Sequence, residues 1–332
     1  RMERSDGNMN RNALTFVATG KSGLGHLRRV TTIALALRRA RSGLDLGLLT
    51  NAVPAGIDGD ELRVFERVTQ RSRLTMAAAL GDHRGIVICD TVQVPGIEHV
   101  AGRKVLILRE TLADGIARFV VPGGWDRVIV PNPPDHWMPD ARALSPSVEA
   151  AGWIVRPTGA RGVGEPPAGI VIATGGGGTD ATRGMLYPVL DRLIADSRAR
   201  SGRAFRVRQA LGPRAAGARL DGADEVFDPG ADLNRVFRVA DLVISTAGYN
   251  SVLELATTDT PALLVAIPRS LDDQAARVRL WGPRLGHAYD PDAHVRAVDW
   301  IAGQIDQPSR RAPIDLGLDG AARAAELILD LP

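Results

Sequence analysis

Two short apolar runs, LTFVAT at 14–19 and GIVIAT at 169–174, each pass straight into a glycine-dense turn, TGKSGLGH at 19–26 and TGGGGTD at 174–180. An aliphatic run too short for a helix, ended by glycines and followed by helical periodicity, marks a strand–turn–helix unit of a parallel sheet. The pattern occurs once in each half of the 332 residues, so the expected class is α/β with two Rossmann-like halves. Two domains also suit a chain of this length, which is too long for one ordinary core.

In the first half, strands are expected at 14–19, 46–50, 85–90, 104–109 and 127–130, with the clearest helix over 27–41. In the second half they are expected at 170–174, 206–211, 241–245 and 262–266, and the amphipathic stretch 321–331 should close the chain as a helix. The segment 156–169, RPTGARGVGEPPAG, is rich in Pro and Gly and has no hydrophobic period, as linkers do. The expected organisation is a disordered segment at 1–12, an N-terminal domain at 13–156, a linker at 157–168 and a C-terminal domain at 169–332.

Several function classes are disfavoured by composition. No apolar run approaches the roughly 20 residues that span a bilayer, and the polar start RMERSDGNMN lacks a signal-peptide core, so a cytoplasmic location is expected. Cys89 is the only cysteine, which rules out an internal disulfide and a thiolate zinc site, and its apolar setting GIVIC reads as inert core. The net charge is only +3 and the basic residues are scattered, which reads as a solvated surface and not as a nucleic-acid stripe. Lysine stands only at 21 and 104 while arginine abounds, the mark of a GC-rich genome. A mild positive field would favour anionic ligands such as nucleoside diphosphates, or peripheral contact with an anionic membrane surface.

Three strand-to-helix turns are dense in small residues, and open parallel sheets bind ligands at such turns. The turn at 19–26 is not a Walker A loop, because the glycine needed five residues before Gly20-Lys21-Ser22 is Thr15. It is a poor dinucleotide fingerprint too, since Gly23 and Gly25 are followed by Arg28 at the third glycine position. The second turn places Gly175, Gly176, Gly177 and Gly178 before Thr179, more backbone freedom than a plain turn requires, which suggests close approach to a ligand, with a hinge as the alternative. In the third, STAGYNSVLE at 245–254, Asn250 or Ser251 would cap the helix and offer donors to an anion. Glu254 one turn on would meet a ribose.

These residues resemble a known family. Gly248, Tyr249, Asn250, Ser251 and Glu254, followed by Asp273 and Gln274, are similar to the donor-binding half of GT-B glycosyltransferases, the MurG and plant-type sugar transferases included. GLGHLRR at 23–29, the glycines of 175–178 and LRE at 108–110 are similar to predicted bacterial glycosyltransferases. The resemblance implies two Rossmann-like domains with parallel sheets facing across a cleft. It further implies that Asn250 and Ser251 contact a diphosphate, Glu254 the ribose, and Asp273 with Gln274 the donor sugar. Where the plant-type motif has His, this chain has Thr246, a departure that implies one phosphate contact weakened or replaced by a hydroxyl.

The implied activity is transfer of a sugar from a nucleoside-diphosphate sugar, UDP type, to a small-molecule or lipid acceptor, with no cofactor and no metal. His26 is the expected base, and Glu110 or Asp90 is expected to orient it or replace it, Glu110 ranked first. The alternatives are a PseG-like nucleotide-sugar hydrolase, which shares the GxGHxxR pattern of Gly23, Gly25, His26 and Arg29, and a non-catalytic partner of the same fold. An epimerase is set aside because no cluster of acids and histidines supports it.

Overall fold

The computed structural model describes residues 12–20, 24–53, 57, 59–140, 144–165, 168–175, 180–212, 218–230, 232–268, 272–317 and 319–331. Most of the expected disordered segment, together with Gly23, Gly176, Gly177, Gly178 and Thr179, lies outside the described residues. The chain divides into two compact units, 1–155 with 317–332, and 156–316.

The first unit carries strands β1 (Ala13–Ala18), β2 (Asp45–Thr50), β3 (Arg67–Gln70), β4 (Ile86–Asp90), β5 (Arg103–Ile107), β6 (Arg127–Val130) and β7 (Val148–Ala150). Helix α1 (Gly25–Ala40) follows β1, and the short helices α2 (Gly59–Leu62), α3 (Met76–Leu80) and α4 (Ala113–Ile116) lie in later connections. Among the described residues all these strands pair in parallel in the order β3-β2-β1-β4-β5-β6-β7. The central strands are apolar along their whole length because both faces are covered; every residue of β4, IVICD, is buried. Cys89 sits there, and burial pushes its thiol well above the usual range, as an inert core cysteine should be.

The second unit carries β8 (Ile170–Ala173), α5 (Asp180–Arg200), β9 (Val207–Ala210), β10 (Glu225–Phe227), α6 (Leu233–Val239), β11 (Leu242–Thr246), α7 (Tyr249–Ala256), β12 (Ala262–Val265), α8 (Gln274–Leu285), β13 (Gly286–Ala288) and α9 (His294–Asp306). Its described strands are parallel in the order β10-β9-β8-β11-β12-β13. Each sheet therefore grows outward from its first strand, then returns to that strand's other side. This reversal leaves a crevice at the C-terminal ends of β1 and β4 in one unit and of β8 and β11 in the other.

Four strands escape the sequence reading, β3, β7, β10 and β13, and each is the edge of a sheet. An edge strand has one covered neighbour and partly exposed side chains, so it carries no continuous apolar run.

Two boundaries differ from expectation. The last helix, α10 (Gly320–Leu329), belongs to the first unit and not to the C-terminal domain: Ala324, Ala325, Leu327 and Ile328 share one core with Leu27, Val30, Ile33 and Leu37 of α1. An amphipathic stripe states that a helix docks but not on which core. The expected linker packs onto the second unit, where the Thr158 amide donates to Thr257 Oγ1 at 3.0 Å and the Arg161 guanidinium pairs with Asp241 at 3.2 Å.

The α10 docking is tight at its start, where a Cβ on Gly320 would stand 2.2 Å from the Trp153 carbonyl oxygen. Gly320→Ala is expected to lower unfolding free energy by about 2–4 kcal/mol, read by urea denaturation, because backbone and not a flexible side chain must yield.

Candidate functional site

At the first crevice, α1 begins with Gly25, so His26 lies in its first turn and Arg29 three residues on shares its face. β4 ends at Asp90, whose side chain has no solvent exposure. Arg29 grips that carboxylate in a fork, Nε to Oδ1 at 3.0 Å and Nη2 to Oδ1 and Oδ2 at 2.7 and 3.0 Å. His26 Nδ1 lies 3.1 Å from Asp90 Oδ2, and its side chain keeps 16% exposure. Burial pushes the Asp90 carboxyl upward, but the Arg29 charge and the contacts with His26 outweigh it and hold the group below the usual range. A carboxylate held anionic can only accept, so the tautomer that suits this contact donates from Nδ1, which in a neutral imidazole leaves Nε2 as the acceptor.

The chain leaves β4 through a strained residue. Thr91 has φ of 47°, a left-handed conformation that costs a β-branched residue about 1–3 kcal/mol. It is held there by two bonds to the Ile107 carbonyl, from its amide at 2.8 Å and its hydroxyl at 2.9 Å. On the other side of β1, the Gly20 amide donates to Asn51 Oδ1 at 2.8 Å, and a Cβ there would meet the Ala52 carbonyl at 2.0 Å, so the turn admits only glycine.

At the second crevice the chain turns sharply after β11, the Gly248 amide donating to the Thr246 carbonyl at 2.8 Å, and α7 starts at Tyr249 with Gly248 as its N-cap. Its N-cap residue is a glycine, which brings no side-chain oxygen to the helix start. Gly175, at φ of 69°, lies close by: a Cβ there would be 3.7 Å from Thr246 Oγ1. Arg277, 2% exposed, ties α8 to this turn by donating to the Ala247 carbonyl at 2.7 Å and to Asp272 at 2.8 Å, with its guanidinium 5.8 Å from the Tyr249 ring centre.

No protein-family model matches the chain. Over 186 residues it is 32% identical to the UDP-N-acetylglucosamine--N-acetylmuramyl-(pentapeptide) pyrophosphoryl-undecaprenol N-acetylglucosamine transferase of Mesorhizobium japonicum, covering 52% of this chain and 48% of that protein. The chain thus spans about half the length of this curated relative. Among solved structures it resembles MurG of Acinetobacter baumannii, with TM-score 0.52 and 15% identity over 95% of this chain and 98% of that one. It also resembles the UDP-GlcNAc 2-epimerase of Methanocaldococcus jannaschii, with TM-score 0.61 and 8% identity over 95% and 99%. The chain has the GT-B glycosyltransferase fold.

In this GT-B chain several expected residues stand differently from the sequence reading. Asp90, not Glu110, is the partner of His26: Glu110 lies beyond β5 and pairs with His136. His136 follows β6 and meets Trp153 edge-on at 4.6 Å, and no sequence spacing linked it to Glu110. Asn250 and Ser251 are not caps but second and third residues of α7, because the tight turn at Gly248 starts the helix early. Asp273 does cap a helix, accepting from the Ala276 amide at 2.9 Å, and Gln274 is buried, accepting from the Ile267 amide at 3.2 Å. Glu254 is 3% exposed on α7. Arg277 went unread, since nothing in its neighbourhood marks it.

Removing one partner of a sealed ion pair leaves a bare buried charge. Arg29→Met is therefore expected to lower stability by about 3–5 kcal/mol. The pH sign follows from the depressed Asp90: its stabilisation is present above the unfolded value near 3.9 and is lost as pH falls through the folded value. Without Arg29 the folded value rises, so acid unfolding followed by circular dichroism should begin at higher pH in Arg29→Met than in the wild type.

Proposed function

We propose that this GT-B chain transfers a sugar from a UDP-type nucleoside-diphosphate sugar to an acceptor hydroxyl, with His26 as the base. The observation that carries this reading is the His26–Asp90 contact at the crevice of the first sheet, with the Asp90 carboxylate clamped by Arg29. The acceptor O–H gives its proton to His26 Nε2 while its oxygen attacks the anomeric carbon, and the bond from that carbon to the diphosphate oxygen breaks. Asp90 orients the imidazole and stabilises the imidazolium that forms.

The leaving diphosphate carries its charge to the start of α7, whose helix dipole favours an anion, beside the turn at Gly175. In this reading these groups serve in place of a divalent cation. The UDP preference is supported by the relative from Mesorhizobium japonicum, whose name gives UDP-N-acetylglucosamine as the donor. That relative's undecaprenol-linked acceptor supports a lipid-linked acceptor here, reached at a membrane surface. No helix of the described residues is long and apolar enough to cross a membrane.

One observation favours a second reading. A second acid–histidine pair, Glu110 with His136, follows β5 and β6 of the sheet whose β4 ends at Asp90, and proton abstraction by an epimerase would need groups of this kind. Incubation with UDP-N-acetylglucosamine alone separates the outcomes. A transferase leaves it intact until acceptor is added, a hydrolase releases free sugar, and an epimerase yields a new UDP-sugar.

His26→Ala is expected to cut turnover by about 10²–10⁴-fold while UDP affinity by calorimetry stays within about twofold. Equal loss of both would assign His26 to the phosphate instead. Glu254→Gln is expected to weaken UDP binding, with uridine weakened in parallel because the contact is to the ribose; unchanged uridine affinity rules that role out. Transfer should persist in excess EDTA, and its loss there would overturn the metal-free reading.

A further inference from the structure

Two arrangements compete for the His26 ring. Asp90 Oδ2 is shared by His26 Nδ1 at 3.1 Å and Arg29 Nη2 at 3.0 Å, and those two nitrogens stand 3.4 Å apart. With the carboxylate where it is, Nδ1 carries the proton and donates to Oδ2. With the carboxylate turned slightly toward Arg29, Nδ1 becomes the acceptor of the Nη2–H and the proton of a neutral ring moves to Nε2. Only the first arrangement leaves Nε2 able to take a proton, so the aim of one buried carboxylate decides what the histidine can do.

The residue after Asp90 is the strained Thr91, whose φ of 47° is, among the described residues, the one left-handed backbone outside glycine. Glycine or asparagine would relieve that strain, so local stability does not account for a threonine, and strain of this kind gathers where a site must keep one geometry. What the threonine brings is a hydroxyl. The Thr91 amide bond to the Ile107 carbonyl continues the parallel ladder that pairs Asp90 with Ile107, and an extended residue would make it as well. The hydroxyl adds a second bond to the same oxygen at 2.9 Å and accepts from the Arg109 amide at 3.4 Å, closing a staple between the exits of β4 and β5. At 8% exposure Thr91 is shielded from water that would compete for these bonds.

We infer that Thr91 is a positioning residue, whose hydroxyl staple to β5 holds the turn after β4 and keeps the Asp90 carboxylate on His26 Nδ1. It touches no substrate and acts through Asp90. Without the hydroxyl, residue 91 relaxes toward extended backbone, the carboxylate turns, and Arg29 competes for the ring. The consequence for turnover rests on the His26 base proposed above, whereas the consequence for the imidazole does not.

Long-range proton–nitrogen spectra of the full chain with labelled histidine, taken at mildly alkaline pH, report which ring nitrogen of His26 bears the proton, and His26→Ala assigns its signals. The wild type and Thr91→Ser should carry the proton on Nδ1, and Thr91→Val should shift population to Nε2. Thr91→Ala, which lacks the hydroxyl with less strain, should do the same and serves should Thr91→Val fold poorly. In turnover, the hydroxyl-free variants should lose about tenfold or more in kcat with donor KM within about twofold, and Thr91→Ser should restore it. A wild-type tautomer retained in both hydroxyl-free variants, with or without a lower melting temperature, overturns the assignment, as does Thr91→Ser behaving like Thr91→Val. Should the tautomer shift as expected in a chain whose wild type transfers no sugar, the positioning role stands and the sugar-transfer reading fails. A wild-type His26 protonated at Nε2 overturns both.

Discussion

A carboxylate with no access to water cannot stand alone at the end of a central strand, and the first unit is organised around meeting that demand. Asp90 is sealed, so the cost of burying its charge must be returned by a cation held in good geometry, which Arg29 provides through both of its donor edges. The pairing dictates much else. α1 must start where His26 and Arg29 reach β4 together, β1 must separate β2 from β4, and the chain must leave Asp90 through the strained Thr91. The apolar strands are thus the means by which an ion pair is kept dry and a histidine is aimed.

Both units place their first six strands in the same order, the first adding a seventh at one edge, and leave the same kind of crevice, yet fill it with different chemistry. In the first, an aspartate, an arginine and a histidine meet. In the second, a threonine hydroxyl, a glycine turn and a helix start with glycine as its N-cap come together. A group that must take a proton needs a fixed charge beside it, whereas a site for an anionic leaving group needs donors that do not hold the product permanently.

The parts of this molecule that could be read from residues alone are those in which burial acts on a whole segment. Central strands such as β4 and β11 announce themselves as unbroken apolar runs because both faces are covered, and the glycine turns mark the crevices. The edge strands β3, β7, β10 and β13 stay silent, because an exposed face erases the pattern. Within the site, His26 and Arg29 are linked by helical spacing. Asp90 and Glu110, each near the end of a strand, look alike until the register decides which is adjacent to α1.

Local order was therefore settled by the sequence: where the central strands and the turns after them fall, and that there are two α/β halves. Tertiary structure alone chose Asp90 over Glu110, placed α10 on the first unit, and began α7 at Tyr249 so that Asn250 and Ser251 fall inside its first turn. The physical reason is common to all three. Each is a choice of partner between segments far apart in the chain, made by strand register and shared burial, and neither quantity is encoded in any one stretch of residues.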